Sequence, residues 1–75
     1  MAHSLRLTAI IEREDDGFVS QCPELDIASQ GSSVEEARAN LVEALSLFFE
    51  TADRSEIERR VRSEIFITQV EVPFG

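Results

Sequence analysis

Residues 5–22 read LRLTAIIEREDDGFVSQC, and this stretch decides the fold. Leu5, Leu7, Ala9 and Ile11 fall on one face of an extended chain, and Arg6, Thr8, Ile10 and Glu12 fall on the other. Period two marks a half-buried strand over 5–13. Glu14-Asp15-Asp16-Gly17 follows; Asp-Gly is a hairpin signal, with the glycine expected to supply the positive φ. Residues 18–22 form the returning strand. With those four residues as the loop, Arg13 lies opposite Phe18, Ile11 opposite Ser20 and Ala9 opposite Cys22. Opposed residues share a face, so one side carries Leu5, Leu7, Ala9, Ile11, Ser20 and Cys22. Its small members cluster where a helix can approach closely. A loop one residue different places Val19 on that side instead.

Pro23 ends the second strand, because it has no N–H for a ladder. A short third strand is expected over 26–30, then a turn at 31–33. Ser33-Val34-Glu35-Glu36 reads as a capping box, in which Ser33 accepts from the third helical N–H and Glu36 reaches back. The helix is expected from 34 to about 50. Val34, Ala37, Leu41, Ala44, Leu45 and Phe48 form one apolar stripe at three- and four-residue steps, and Phe49 lies beside it. Residues 53–62 are polar and read as a short second helix or a helical turn begun by Ser55. Ile65 to Val72 is rich in β-branched residues and reads as a last strand, stopped by Pro73.

The expected architecture is α+β, in the order βββαβ, as a single domain over 1–75. A helix of about 17 residues and a strand of about eight have similar lengths, roughly 25 Å. The helix can therefore carry the chain back along the sheet and lay strand four parallel to strand one by a right-handed crossover. This gives a four-stranded sheet of order 3-2-1-4 with one main helix on one face. A second helix that reverses the chain would break that order.

The chain has 75 residues, 43% of them hydrophobic, enough for one folded domain with a small core. Fifteen acids against seven basic residues, all arginine, leave a net charge of -8. Such a surface repels phosphate backbones and suits a basic protein partner. Cys22 is the only cysteine, so no intrachain disulfide is expected. No apolar run is long enough to span a membrane, and the start does not read as a signal peptide. The expected location is the cytoplasm.

The assembled pieces are Asp15-Asp16-Gly17-Phe18-Val19, Cys22-Pro23-Glu24-Leu25, Gln30-Gly31, Val34-Glu35-Glu36-Ala37, and Asn40-Leu41-Val42-Glu43-Ala44-Leu45. In this order and spacing they resemble the HicB-type antitoxin family, from the first strand through the helix. The resemblance implies a partial ribonuclease-H-like βββαβ domain. It also implies a non-catalytic role, neutralising a small basic HicA-type toxin that cleaves mRNA. Many members of that family carry a further DNA-binding domain. No such segment follows Pro73, so DNA binding is not expected of this chain. The alternative function is a stand-alone oligomeric scaffold or regulatory domain with no toxin.

No catalytic, cofactor-binding or metal site is expected. Glu12, Glu14, Asp15 and Asp16 crowd one hairpin, whereas two-metal chemistry needs acids converging from separate elements. They read instead as solvated charge and as the acidic contacts for a toxin. His3 has no second histidine beside it for a metal, and Cys22 on the covered face reads as an inert buried thiol. Gln30-Gly31-Ser32-Ser33 precedes a helix but lacks the spacing and lysine of a phosphate loop. One helix covers one face of a sheet. The other face is expected to gather Ile10, Val19, Phe66, Val70 and Val72 into an interface, most simply that of a homodimer or higher homo-oligomer.

Overall fold

The structure, a computed structural model, describes residues 5–61 and 64–75. His3 and Arg62, both considered above, lie outside the described residues. Three strands, β1 (Ile10–Glu14), β2 (Gly17–Cys22) and β3 (Ile27–Gly31), form an antiparallel sheet of order β1-β2-β3. Two helices follow, α1 (Val34–Thr51) and α2 (Arg54–Val61).

The β1–β2 register is the expected one. Arg13 pairs with Phe18 and Ile11 with Ser20. Glu14 pairs with Gly17, so the loop proper is Asp15 and Asp16. Asp15, not Gly17, takes the left-handed backbone, with φ 53°; aspartate tolerates that region better than most side chains. What Gly17 supplies is room, since a Cβ there would come within 3.0 Å of the Gly31 carbonyl oxygen.

Helix α1 lies close on the sheet because the residues beneath it are small. Ser20, Cys22 and Ala37 are fully buried. The Ser20 hydroxyl donates to the Ala37 carbonyl at 2.8 Å, which satisfies a polar group in a dry contact. A Cβ on Gly31 would meet the Ala37 nitrogen at 2.5 Å, so glycine sets the approach of helix to strand. The helix starts as expected, with the Ser33 hydroxyl accepting from the Glu36 N–H at 3.1 Å. Glu36 reaches one residue further back than a capping box requires, to the N–H and hydroxyl of Ser32.

The core centres on Cys22, Leu25 and Leu41, with Leu7, Ile27, Leu45, Phe48, Phe49 and Val61 packed around them. Leu25 is 1% exposed although it sits in the β2–β3 turn. The next residue, Asp26, has φ 56°, and the Leu25 N–H bonds back to the Cys22 carbonyl at 3.3 Å. That reversal points Leu25 under the C-terminal half of α1. Leu5, expected in the core, is more than half exposed.

Two expectations of the fold are overturned. The first strand begins at Ile10, not at residue 5. The Thr8 N–H is instead taken by the Glu24 carboxylate, 3.1 Å from each oxygen, and the Thr8 hydroxyl gives a further bond at 2.7 Å. The sheet has three strands and the order of elements is βββαα; the four-stranded 3-2-1-4 sheet with one main helix is not formed. The cause is α2. Its Arg60 donates to the Leu25 carbonyl at 3.0 Å and lies over the Phe48 ring, and Val61 joins the core. These contacts commit the chain to the β2–β3 turn, away from the β1 edge. Residues 64–75 then stand clear of the sheet with every position exposed. The radius of gyration is 14.7 Å, against about 11 Å for a compact chain of this length.

Candidate functional site

The β1–β2 hairpin holds a cluster of carboxylates at its tip, two at the end of β1 and two in the loop. Glu12, Glu14, Asp15 and Asp16 are all exposed. Ladder pairs flank the loop on both strands, and the Arg13 guanidinium stacks 4.6 Å over the Phe18 ring beside it. A shallow concavity of about 740 Å³ opens next to this tip, bounded by Asp15, Asp16, Phe18, Gln30, Glu36 and Asn40 among others. Asn40 donates to the Gln30 carbonyl at 2.7 Å and ties α1 to β3 across its floor. Hydrogen bonds from the Ser32 N–H and hydroxyl hold the Glu36 carboxyl below its ordinary range, so its charge is fixed at neutral pH. The result is a concave, negatively charged end, built on a short loop and a helix start. Chemically it can receive cationic side chains. Among the described residues, no group of three or more His, Cys, Asp or Glu side chains is placed to hold a metal ion.

The expected interface residues are divided. Ile10 and Val19 lie on the face away from α1, half-buried. Ile10 pairs with Gln21, and Val19 lies between Glu12 and Gln30, so polar neighbours flank both. Phe66, Val70 and Val72 are not on that face; they belong to the tail, at 85%, 77% and 70% exposure. The structure therefore does not bring the five together on one sheet face.

A second feature escaped the sequence reading. Residues 5–9 run alongside α1 and leave a groove of about 580 Å³, lined by Leu7, Leu41, Val42, Leu45 and Phe49, with Arg6 and Arg38 also in its wall. No acid lines it. The residues that fix it are Thr8 and Glu24, sixteen positions apart. Burial alone would raise the Glu24 carboxyl, but the bonds from Thr8 and from the Cys22 thiol at 3.4 Å outweigh it and hold the group below its ordinary value. Burial pushes the Cys22 thiol up, and the adjacent carboxylate adds to that, which keeps the sulfur protonated and unreactive. The signal available in sequence was an acid next to Pro23 in a turn, too common to name its partner.

The fold and this surface define a class: a small α+β domain with an acidic hairpin end and an apolar groove beside α1. No helix is long and apolar enough to cross a membrane among the described residues. Compared with known proteins, the chain is 30% identical over 70 residues to a UPF0150 protein of Helicobacter pylori strain J99, covering 92% of this chain and 97% of that one. It belongs to the UPF0150 family. No family model matches the chain, and no solved structure matches it.

Proposed function

We propose that this chain is a non-catalytic inhibitory module of the antitoxin type, which neutralises a small basic, mRNA-cleaving partner of the HicA kind by covering its RNA-binding surface. The observation that carries the reading is the acidic hairpin end: Glu12 and Glu14 at the end of β1 and Asp15 and Asp16 in the two-residue loop, all exposed, in a chain of net charge -8. The HicB-type motifs point the same way. So does the membership of a family of small chains that this one matches nearly end to end. A domain of this sign steers a basic protein toward itself and competes with RNA for the same cations. Its action is occlusion, and it takes place in the cytoplasm, where such a partner meets mRNA.

The test is co-expression with the product of the adjacent gene. That product alone should arrest growth and cleave mRNA, and an excess of this chain should reverse both. A neighbour that is harmless, or that stays toxic with this chain in excess, overturns the reading. The exposed apolar tail favours a second reading, a self-associating scaffold without a toxin, and a stable homo-oligomer with no co-purifying basic protein would select it.

A further inference from the structure

The single chain leaves two apolar features open, the tail and the groove beside α1. Residues 64–75 carry Phe66, Val70, Val72 and Phe74 at 70–99% exposure. So many large apolar side chains left this exposed within twelve residues point to an interaction surface. The groove between residues 5–9 and α1 is apolar in its floor, and Val42, on its wall, is half exposed.

Charge selects the occupant. Among the described residues, the groove wall carries Arg6 and Arg38 and no acid, in a chain with fifteen acids and seven arginines. A basic partner suited to the hairpin end is therefore repelled here. The tail carries Glu64 and Glu71 and no base. The groove thus wants an apolar segment with acidic side chains, and the chain itself offers one.

We infer that the groove of one chain seats the tail, residues 64–75, of a second copy, so that two chains associate by exchanging tails. No tail residue lines the groove of its own chain, and α2 has committed that tail to the side of the β2–β3 turn through Arg60 and Val61. Exchange about a two-fold axis uses each groove and each tail once and closes the assembly. The tail brings two phenylalanines and two valines that are at least 70% exposed in the single chain, so seating them against the apolar floor of the groove removes apolar surface from water at both ends of the pair. The inference goes beyond the antitoxin reading and does not depend on it.

The experiment uses the whole chain and two substitutions at exposed positions, Val70→Asp in the tail and Val42→Asp in the groove wall. Neither side chain is part of the core cluster, so far-UV circular dichroism should stay that of the wild type. Light scattering should report a dimer for the wild type, and each variant should dimerise at least tenfold more weakly. A labelled peptide of residues 64–75 should bind the Val70→Asp protein, whose groove is intact and vacated. It should bind the Val42→Asp protein at least tenfold more weakly. A wild-type monomer at high concentration overturns the inference, as does a dimer that survives either substitution. Equal peptide binding to the two variants overturns it as well.

Discussion

Two regions of this chain share a sequence character and have opposite fates. Residues 10–14 and 17–22 carry the apolar and β-branched pattern of strands and are laddered together. Residues 65–72 carry the same pattern and form no strand at all. Propensity does not separate them, because Ile65, Ile67, Val70 and Val72 are as favourable as anything in β1 or β2. Proximity does. A two-residue loop delivers β2 to β1 at small entropic cost, whereas the last segment must be returned by whatever precedes it. Helix α2 delivers it elsewhere. A strand pattern states that a segment needs a neighbour and is silent on which one.

That contrast makes a steep prediction. Leu25→Ala should cost about 2–5 kcal/mol, since Leu25 is fully buried in the central cluster with Cys22 and Leu41. Val70→Ala should change the stability of the dilute monomer by less than about 0.5 kcal/mol, because its side chain is 77% exposed. Urea midpoints at low protein concentration measure both. Comparable losses at the two positions would break the distinction between the domain and its tail.

The next effect probes how closely the helix lies on the sheet. Gly31→Ala forces a methyl against the α1 backbone, 2.5 Å from the Ala37 nitrogen and 2.8 Å from the Glu36 carbonyl carbon. Neither is the end of a flexible side chain, so the helix itself must move. The expected loss is about 1–3 kcal/mol, read from the thermal midpoint. An unchanged midpoint would mean that α1 floats over β3 rather than being set by it.

A smaller effect concerns the edge of the laddered region, where Glu24 takes the place of a strand partner for Thr8. The Glu24 carboxyl sits below its ordinary value of 4.5 in the folded chain. A carboxyl lowered on folding contributes stability that is complete above the unfolded value and is lost as pH falls through the folded one. Glu24→Gln should therefore cost about 1 kcal/mol near neutral pH, the scale of a charged hydrogen bond discounted for partial exposure. The gap to wild type should close as the pH is taken below about 4. Urea midpoints across pH 3–7 give the curve, and a gap that persists at the acid end would show that the bonds are made without the charge.

These positions also mark what was legible in the sequence. The hairpin register was, because alternation and Asp-Gly act within a few residues of each other. The seat of the helix was too, since Ser20 and Cys22 announce a close approach by their size. The Ser33 cap follows from its own four residues. Leu25 was not legible: a leucine in a Pro-containing turn reads as loop, and only the reversal at Asp26 turns it inward. The Thr8–Glu24 clasp and the Arg60–Leu25 bond join residues sixteen and thirty-five positions apart, where no local pattern reports. The acids of the candidate site were legible as a cluster, and their exposure followed from the turn. The groove was not, because it exists where an expected strand fails to arrive.

The smallest expected effect on the fold is also the most telling for function. Replacing Glu12, Glu14, Asp15 and Asp16 with the matching amides removes four exposed charges and leaves the β1–β2 pairs in place. Exposed charges contribute little to stability, so the urea midpoint should move by less than about 0.5 kcal/mol equivalent. Asparagine tolerates the left-handed backbone as aspartate does, so the φ of 53° at position 15 is retained without strain. Association with a basic partner should behave differently. Steering by net charge acts over about 8 Å at physiological ionic strength and is screened by added salt. The quadruple variant should therefore associate more slowly, with a shallower salt dependence, while dissociation changes less, as for charges at an interface rim. Stopped-flow association at two salt concentrations separates these terms. If the association rate is unchanged, the hairpin end does not face the partner, and the charge of this chain serves some purpose other than recognition. If dissociation changes most, the acids are buried in the contact, and the loop is its centre rather than its approach.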